Sequence, residues 1–155
     1  MKAMDILKRC RSAEEDKARL TQLIDQRREL LDGLTGPRMD AIGGGRGSPD
    51  PDKTGRILAD IDELERKKAE REEEQEVEKV ATSSMMDWLS LTEGKILHLY
   101  YIGMMNTSEI GRKEKYTVGY VRKEKRKAEG KLEMLSEEQV ATLVPRWYLE
   151  RMGER

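Results

Sequence analysis

The chain has 155 residues, 39% of them charged and 36% apolar, with no phenylalanine and a formal net charge of −1. Against the ~25% charge of an ordinary globular domain, this composition argues against one large core and favours elongated, solvated helices beside a small one. No apolar run approaches the ~18 residues of a membrane span, so an integral membrane protein is excluded. A single cysteine, Cys10, and a single histidine, His98, exclude a disulfide and a Cys/His zinc site. The first residues, MKAMDILKRCRSAEEDK, contain acids and lack an apolar signal core. A cytoplasmic chain that is not an enzyme and needs no cofactor or metal is expected.

Residues 1–34 carry Ile6, Cys10, Ala13, Leu20, Ile24, Leu31 and Leu34 on one seam, interrupted by Lys17 and Arg27. This coiled-coil-like spacing predicts a helix ended by Gly33, Gly36 and Pro37. Residues 35–54 hold five glycines and three prolines and read as a flexible loop. Its GGGRGS core is no phosphate loop, because no strand precedes it and no Gly-Lys-Ser/Thr follows. A second helix is expected over 55–84. Ile57, Leu58, Ile61 and Leu64 supply its first apolar contacts, and Val77, Val80 and Ala81 its last.

Two such helices joined by a loop can fold back as an antiparallel hairpin. Leu31 and Leu34 would then face Ile57 and Ile61, and Ile6 and Cys10 would face Val77 and Val80. The middle of the second helix is nearly all charge, where exposed pairs give only ~0.3–0.5 kcal/mol each.

Three shorter helices are expected within 85–135. Ser90 or Thr92 can cap one from about Glu93 to Ile102, with Gly103 as its stop. Asn106 and Glu109 form a capping box for the next, up to Glu114, and Thr117 can cap a third from Val118 to about Leu135. Leu91, Ile96, Leu97, Tyr101, Ile102, Ile110, Val121 and Leu132 would make their small core. In 136–155, Ser136 and Gln139 open an amphipathic helix with a stripe of Val140, Leu143, Val144, Trp147 and Tyr148 and a kink at Pro145. The tyrosine and tryptophan read as core more readily than as a docking face. No strand pattern appears, so the fold class is all-α.

Charge is unevenly spread. Residues 60–78 hold ten acids against four bases, and residues 111–131 nine bases against three acids. The first block, with Glu72, Glu73, Glu74, Glu76 and Glu78, reads as a solvated face. The second suggests a polyanion-binding surface. Two short helices with a tight turn, the second one basic, are what a helix-turn-helix needs. Arg122, Lys123 and Arg126 share a face opposite Val121. They would enter or flank the major groove, with Thr117, Val118, Gly119 and Tyr120 near bases and Arg112, Lys113 and Lys115 at phosphates. Close approach of backbone to DNA, or tolerance near a helix end, would account for Gly119.

The segment from Leu91 to Leu132 resembles, without a gap, the C-terminal helix-turn-helix of bacterial sigma factors, the module that reads the promoter −35 element. KILHLYYI matches the helix packed behind the motif, and SEIG at 108–111 is similar to the Glu-Ile-Ala of its first helix. Thr117 stands at the capping Ser, Gly119 at a frequent Gly, and Val121 at the buried Val. His98 falls on an outer, variable position. The layout of charged helix, Gly/Ser/Asp loop, second charged helix and this module resembles phage-encoded sigma-like regulators of the RinA/ArpU type. The segment departs from the pattern at Lys113, usually apolar, at Lys115, usually Gly, and at Glu124, often Leu. The resemblance implies a sequence-specific transcriptional regulator in a bacterial host, with double-stranded DNA as partner. RNA polymerase or a second copy would dock through the hairpin. Two other classes fit parts of the pattern: a small-terminase-like DNA-packaging protein, in which the DNA motif ordinarily precedes the oligomerising helices, and a structural helical adaptor.

Overall fold

The computed structural model describes residues 1–35 and 51–153. Among them are seven α-helices and no strand: α1 (Ala3–Thr35), α2 (Pro51–Met86), α3 (Leu91–Tyr101), α4 (Thr107–Glu114), α5 (Val118–Glu133), α6 (Glu137–Leu143) and α7 (Arg146–Arg151). The protein is all-α. No helix among the described residues is long and apolar enough to cross a membrane. The chain divides into two compact units, Met1–Glu15 with Glu73–Arg155, and Asp16–Glu72.

In the unit Asp16–Glu72, Ile24, Ile57 and Ile61 are buried. Leu20, Leu31, Leu34 and Leu64 are half-buried. Ion pairs join Arg71 to Asp16 (3.7 Å), Arg27 to Asp60 (3.8 Å) and Arg28 to Glu65. Leu58, expected to pack inward, is 46% exposed, because the inward positions of α2 fall one residue earlier and three later, at Ile57 and Ile61. Both helices also reach further than expected. α1 continues through Gly33 to Thr35, and α2 begins at Pro51 rather than near residue 55. Proline at the first helical position sacrifices no hydrogen bond, since that N–H has no intrahelical acceptor. The remainder of the expected loop, with GGGRGS and the Gly36 and Pro37 stops, lies outside the described residues.

The other unit holds the larger core. Ala3, Ile6 and Leu7 of α1, Ala81, Met85 and Met86 of α2, Leu97 and Tyr101 of α3, Ala128 and Leu132 of α5, and Val140, Val144 and Tyr148 form one buried cluster. A second cluster, Ile96, Ile110 and Val121, takes one residue from each of α3, α4 and α5, with Leu99, Tyr100, Met105 and Tyr116 packed around it. The core is therefore more extensive than three short helices could supply. α2 continues to Met86, beyond the expected end at 84, because its last turn is buried here.

Two expected core residues lie elsewhere. Leu91 is 88% exposed at the first position of α3, and Ile102, at the C-cap, is half-buried. Val80 is 44% exposed. Val77 is half-buried against the core and Ala81 is fully buried, as expected, while Gln75, Glu78, Thr82 and Met85, at helical spacing, supply further inward positions of α2 in this unit, three of them polar. Cys10 is buried as anticipated.

The C-terminal segment forms two helices rather than one kinked helix. Val144 is extended (ψ 154°) and Pro145 is the N-cap of α7, because a residue before proline avoids the helical region. Tyr148 is fully buried, whereas Trp147 is 45% exposed.

Candidate nucleic-acid interface

The site is built on α3, α4 and α5. Ser90 caps α3, accepting from the Glu93 N–H at 3.3 Å and donating its hydroxyl to Glu93 Oε1 at 2.6 Å. Asn106 and Glu109 form the expected capping box at the start of α4. Thr117 caps α5, its Oγ1 accepting from the Tyr120 N–H at 3.2 Å. α3 ends at Tyr101, with the Gly103 N–H donating to His98 O at 2.9 Å; the left-handed residue of that turn is Met104 (φ 58°), not Gly103.

The turn between α4 and α5 depends on two residues. Lys115 is the C-cap of α4 and sits in the left-handed region (φ 60°, ψ 41°), a conformation that costs a side-chain-bearing residue roughly 1–2 kcal/mol. The lysine that departs from the sigma-like pattern thus adopts the conformation a glycine there would adopt freely. Gly111 is buried, and the Tyr116 N–H donates to its carbonyl at 2.9 Å. A Cβ on Gly111 would lie 2.8 Å from the Tyr116 carbonyl oxygen, so the turn closes only because residue 111 has no side chain.

Three polar links fix the helices. Lys95 on α3 pairs with Glu114 on α4 at 3.1 Å, and this partner raises the lysine pKa. Lys131 on α5 reaches Glu93 Oε1 at 2.6 Å. The Glu93 residue is 1% exposed, and that burial pushes its pKa up; the Lys131 and Ser90 hydrogen bonds and the Lys131 and Lys127 charges outweigh it and hold the carboxyl below its ordinary 4.5. Tyr101 donates to Glu129 at 2.9 Å, and Lys125 pairs with the same carboxylate oxygen at 2.6 Å. Burial, then the Glu129 charge and hydrogen bond, raise the Tyr101 phenol well above its usual value. The Tyr100 ring carries two cations, Arg11 at 4.0 Å and Lys125 at 4.3 Å from its centroid.

Lys125 and Lys131, counted in the sequence as part of the basic surface, are therefore engaged with carboxylates. Arg112, Lys113, Lys115, Arg122, Lys123, Arg126 and Lys127 are exposed, and among the described residues none of their side chains makes a hydrogen bond or ion pair. Arg122, Lys123, Arg126 and Lys127 line one shallow depression along α5 together with Gly119. Val121, on the opposite face, is fully buried. Lys113, which departs from the sigma-like pattern, is exposed.

At the head of α5, Val118 is half-buried, and Thr117 is exposed with its Oγ1 accepting the cap hydrogen bond. A Cβ on Gly119 would meet nothing within 4 Å, so its surface is open. Tyr120 is 40% exposed, with its ring edge-on to Tyr116 (centroids 4.8 Å apart, 61°). Partial desolvation, then the charge of Glu124 and the neighbouring Tyr116, raise the Tyr120 phenol.

Sequence reasoning missed Glu93, Tyr100, Tyr116 and Lys127. Ser90 and Glu93 have the S-x-x-E spacing of a capping box, a readable signal; the Lys131 contact is long-range and left no local trace. His98 is exposed. Glu72, Glu73, Glu74 and Glu76 are exposed as expected, but Glu78 is 5% exposed and accepts from the Tyr148 hydroxyl at 2.6 Å, so it is no part of a solvated face. Among the described residues no cluster of three His, Cys, Asp or Glu side chains could hold a metal ion. Compared with protein-family models, curated proteins and solved structures, the chain matches none of them.

Proposed function

We propose that this chain is a sequence-specific DNA-binding transcriptional regulator of phage type, acting through a sigma-like helix-turn-helix carried beside a helical hairpin. The observation that carries this reading is the set of seven exposed cations on α4, its turn and α5 whose side chains make no hydrogen bond or ion pair among the described residues, in a chain where many other bases are paired. Unpaired like charges on neighbouring turns repel one another, and a polyanion relieves that repulsion. Arg122, Lys123 and Arg126 enter or flank the major groove. Tyr120 and the open backbone at Gly119 meet base edges, with Thr117 and Val118 beside them. Arg112, Lys113 and Lys115 hold phosphates. The ion pairs between α1 and α2 support the hairpin, which supplies contacts to a second copy or to RNA polymerase in the cytoplasm of a bacterial host.

Anisotropy of a labelled duplex titrated at several salt concentrations tests this. Log affinity falls linearly with log salt by about 0.9 per phosphate contact, giving a slope magnitude of up to about 6 if all seven cations take part. No binding to duplex at low salt, or affinity indifferent to salt, refutes the proposal.

A further inference from the structure

We infer that Tyr120 is the residue through which this chain recognises thymine, its ring edge packing against the C5-methyl group of one thymine in the major groove; this rests on the DNA-binding reading above. The inference follows by elimination at the head of α5, the part of a recognition helix that contacts base edges. The Thr117 hydroxyl is engaged with the Tyr120 N–H at 3.2 Å, Val118 is half-buried and Gly119 has no side chain. Within α5, Tyr120 is the first residue with an exposed side chain.

Its ring is also held in place. Tyr116, edge-to-face with Tyr120 at 4.8 Å, itself packs against the buried Ile96, Ile110 and Val121. A line of contact thus runs from the core through Tyr116 to the exposed ring, and a side chain fixed this way discriminates shape better than a flexible lysine. Lys123 and Lys127, three and seven residues further along α5, stand on the same side of the helix and supply attraction to any duplex; the exposed ring supplies contact with an apolar group. The only apolar group that bases present in the major groove is the thymine methyl. A phenol is neutral at pH 7, so it adds no repulsion from phosphate.

The test uses the full chain and a duplex selected by it from a random pool. Each thymine in turn is replaced by deoxyuridine, which removes only the methyl. At one position the wild type should lose about fourfold in affinity, the effect of withdrawing one buried methyl-sized group. Tyr120→Phe should keep that discrimination, and Tyr120→Ala should bind the thymine and uracil duplexes alike while retaining its salt slope. Wild-type indifference to every replacement, persistence of the preference in Tyr120→Ala, or its loss in Tyr120→Phe overturns the assignment. If no duplex is retained from the pool at all, the DNA-binding reading itself falls, and this inference with it.

Discussion

Lys131 Nζ, near the end of α5, lies 2.6 Å from a carboxylate oxygen of Glu93 in the first turn of α3. The carboxylate is buried and its second oxygen, Oε2, has no hydrogen-bond partner among the described residues. The contact joins α3 to α5, the helix that carries the cationic face. It also withdraws one lysine from that face.

Lys131→Met leaves the buried Glu93 carboxylate held by Ser90 alone, and a buried acceptor deprived of a partner costs about 1–3 kcal/mol. The variant should unfold at a lower temperature. Replacing both partners, Glu93→Gln with Lys131→Met, should recover much of the loss, because an apolar or neutral pair avoids burying a charge. The Glu93 pKa is held down in the fold, so its contribution is present above the ordinary value of 4.5 and is lost as pH falls through the folded value. Melting curves below pH 5 should show this acid loss in the wild type and not in Glu93→Gln.

Glu78 behaves in the opposite sense. Burial raises its pKa; the Tyr148 hydrogen bond and Arg9 only partly oppose that, and Glu74 adds to it. Its folded pKa exceeds the unfolded one, so its favourable contribution is full below about 4.5 and is lost as pH rises through the folded value. Glu78→Gln keeps an acceptor for the Tyr148 hydroxyl without the charge. It should melt higher than wild type at pH 7, and the difference should shrink as pH approaches 4.5. A lower melting temperature at pH 7 would contradict the sign.

Lys115→Gly should stabilise the protein by about 1 kcal/mol, a rise in Tm of ~2–4 °C, because glycine adopts the left-handed turn without strain. The same variant should bind duplex more weakly and lower the salt slope by about one, since a phosphate contact is lost. Stability and affinity moving in opposite directions separates the two roles of this position.

Gly111→Ala should destabilise by about 1–3 kcal/mol, the usual cost of forcing extra volume into a closed contact, since its Cβ would fall 2.8 Å from backbone. Gly119→Ala, where the space is open, should leave stability unchanged or raise it. Thermal unfolding of the pair checks both.

How much of this was legible follows from range. The caps are local hydrogen bonds over three residues: those at Asn106, Thr117 and Ser136 are present where the sequence placed them, and of the two candidates for α3 it is Ser90, not Thr92, that caps. The helical class and the buried Val121 follow from periodicity in the same way. The inward face of α2 was legible at Ile57, Ile61 and Ala81 but not at Gln75, Glu78 and Thr82, which are polar and whose burial depends on partners such as Tyr148, 70 residues from Glu78. Net charge marked residues 111–131 as basic, but only the fold separates Lys125 and Lys131, which meet carboxylates, from Arg122 and Arg126, which do not. Leu91 looked like core because leucine usually is; its place at the first position of α3 turns it outward.

The central claim is that the face of α5 bearing Arg122 and Arg126 binds DNA. Titration of labelled duplex fragments with wild type and the Arg122→Ala/Arg126→Ala variant, at several salt concentrations, tests it most directly. Helical content by circular dichroism should match between the two, since both side chains are solvated. The account predicts at least tenfold weaker binding, each guanine-reading arginine contributing about 1–3 kcal/mol, together with a shallower salt slope. A folded double variant that binds as tightly as wild type would contradict the assignment of α5 and move the chain to the class of helical adaptors.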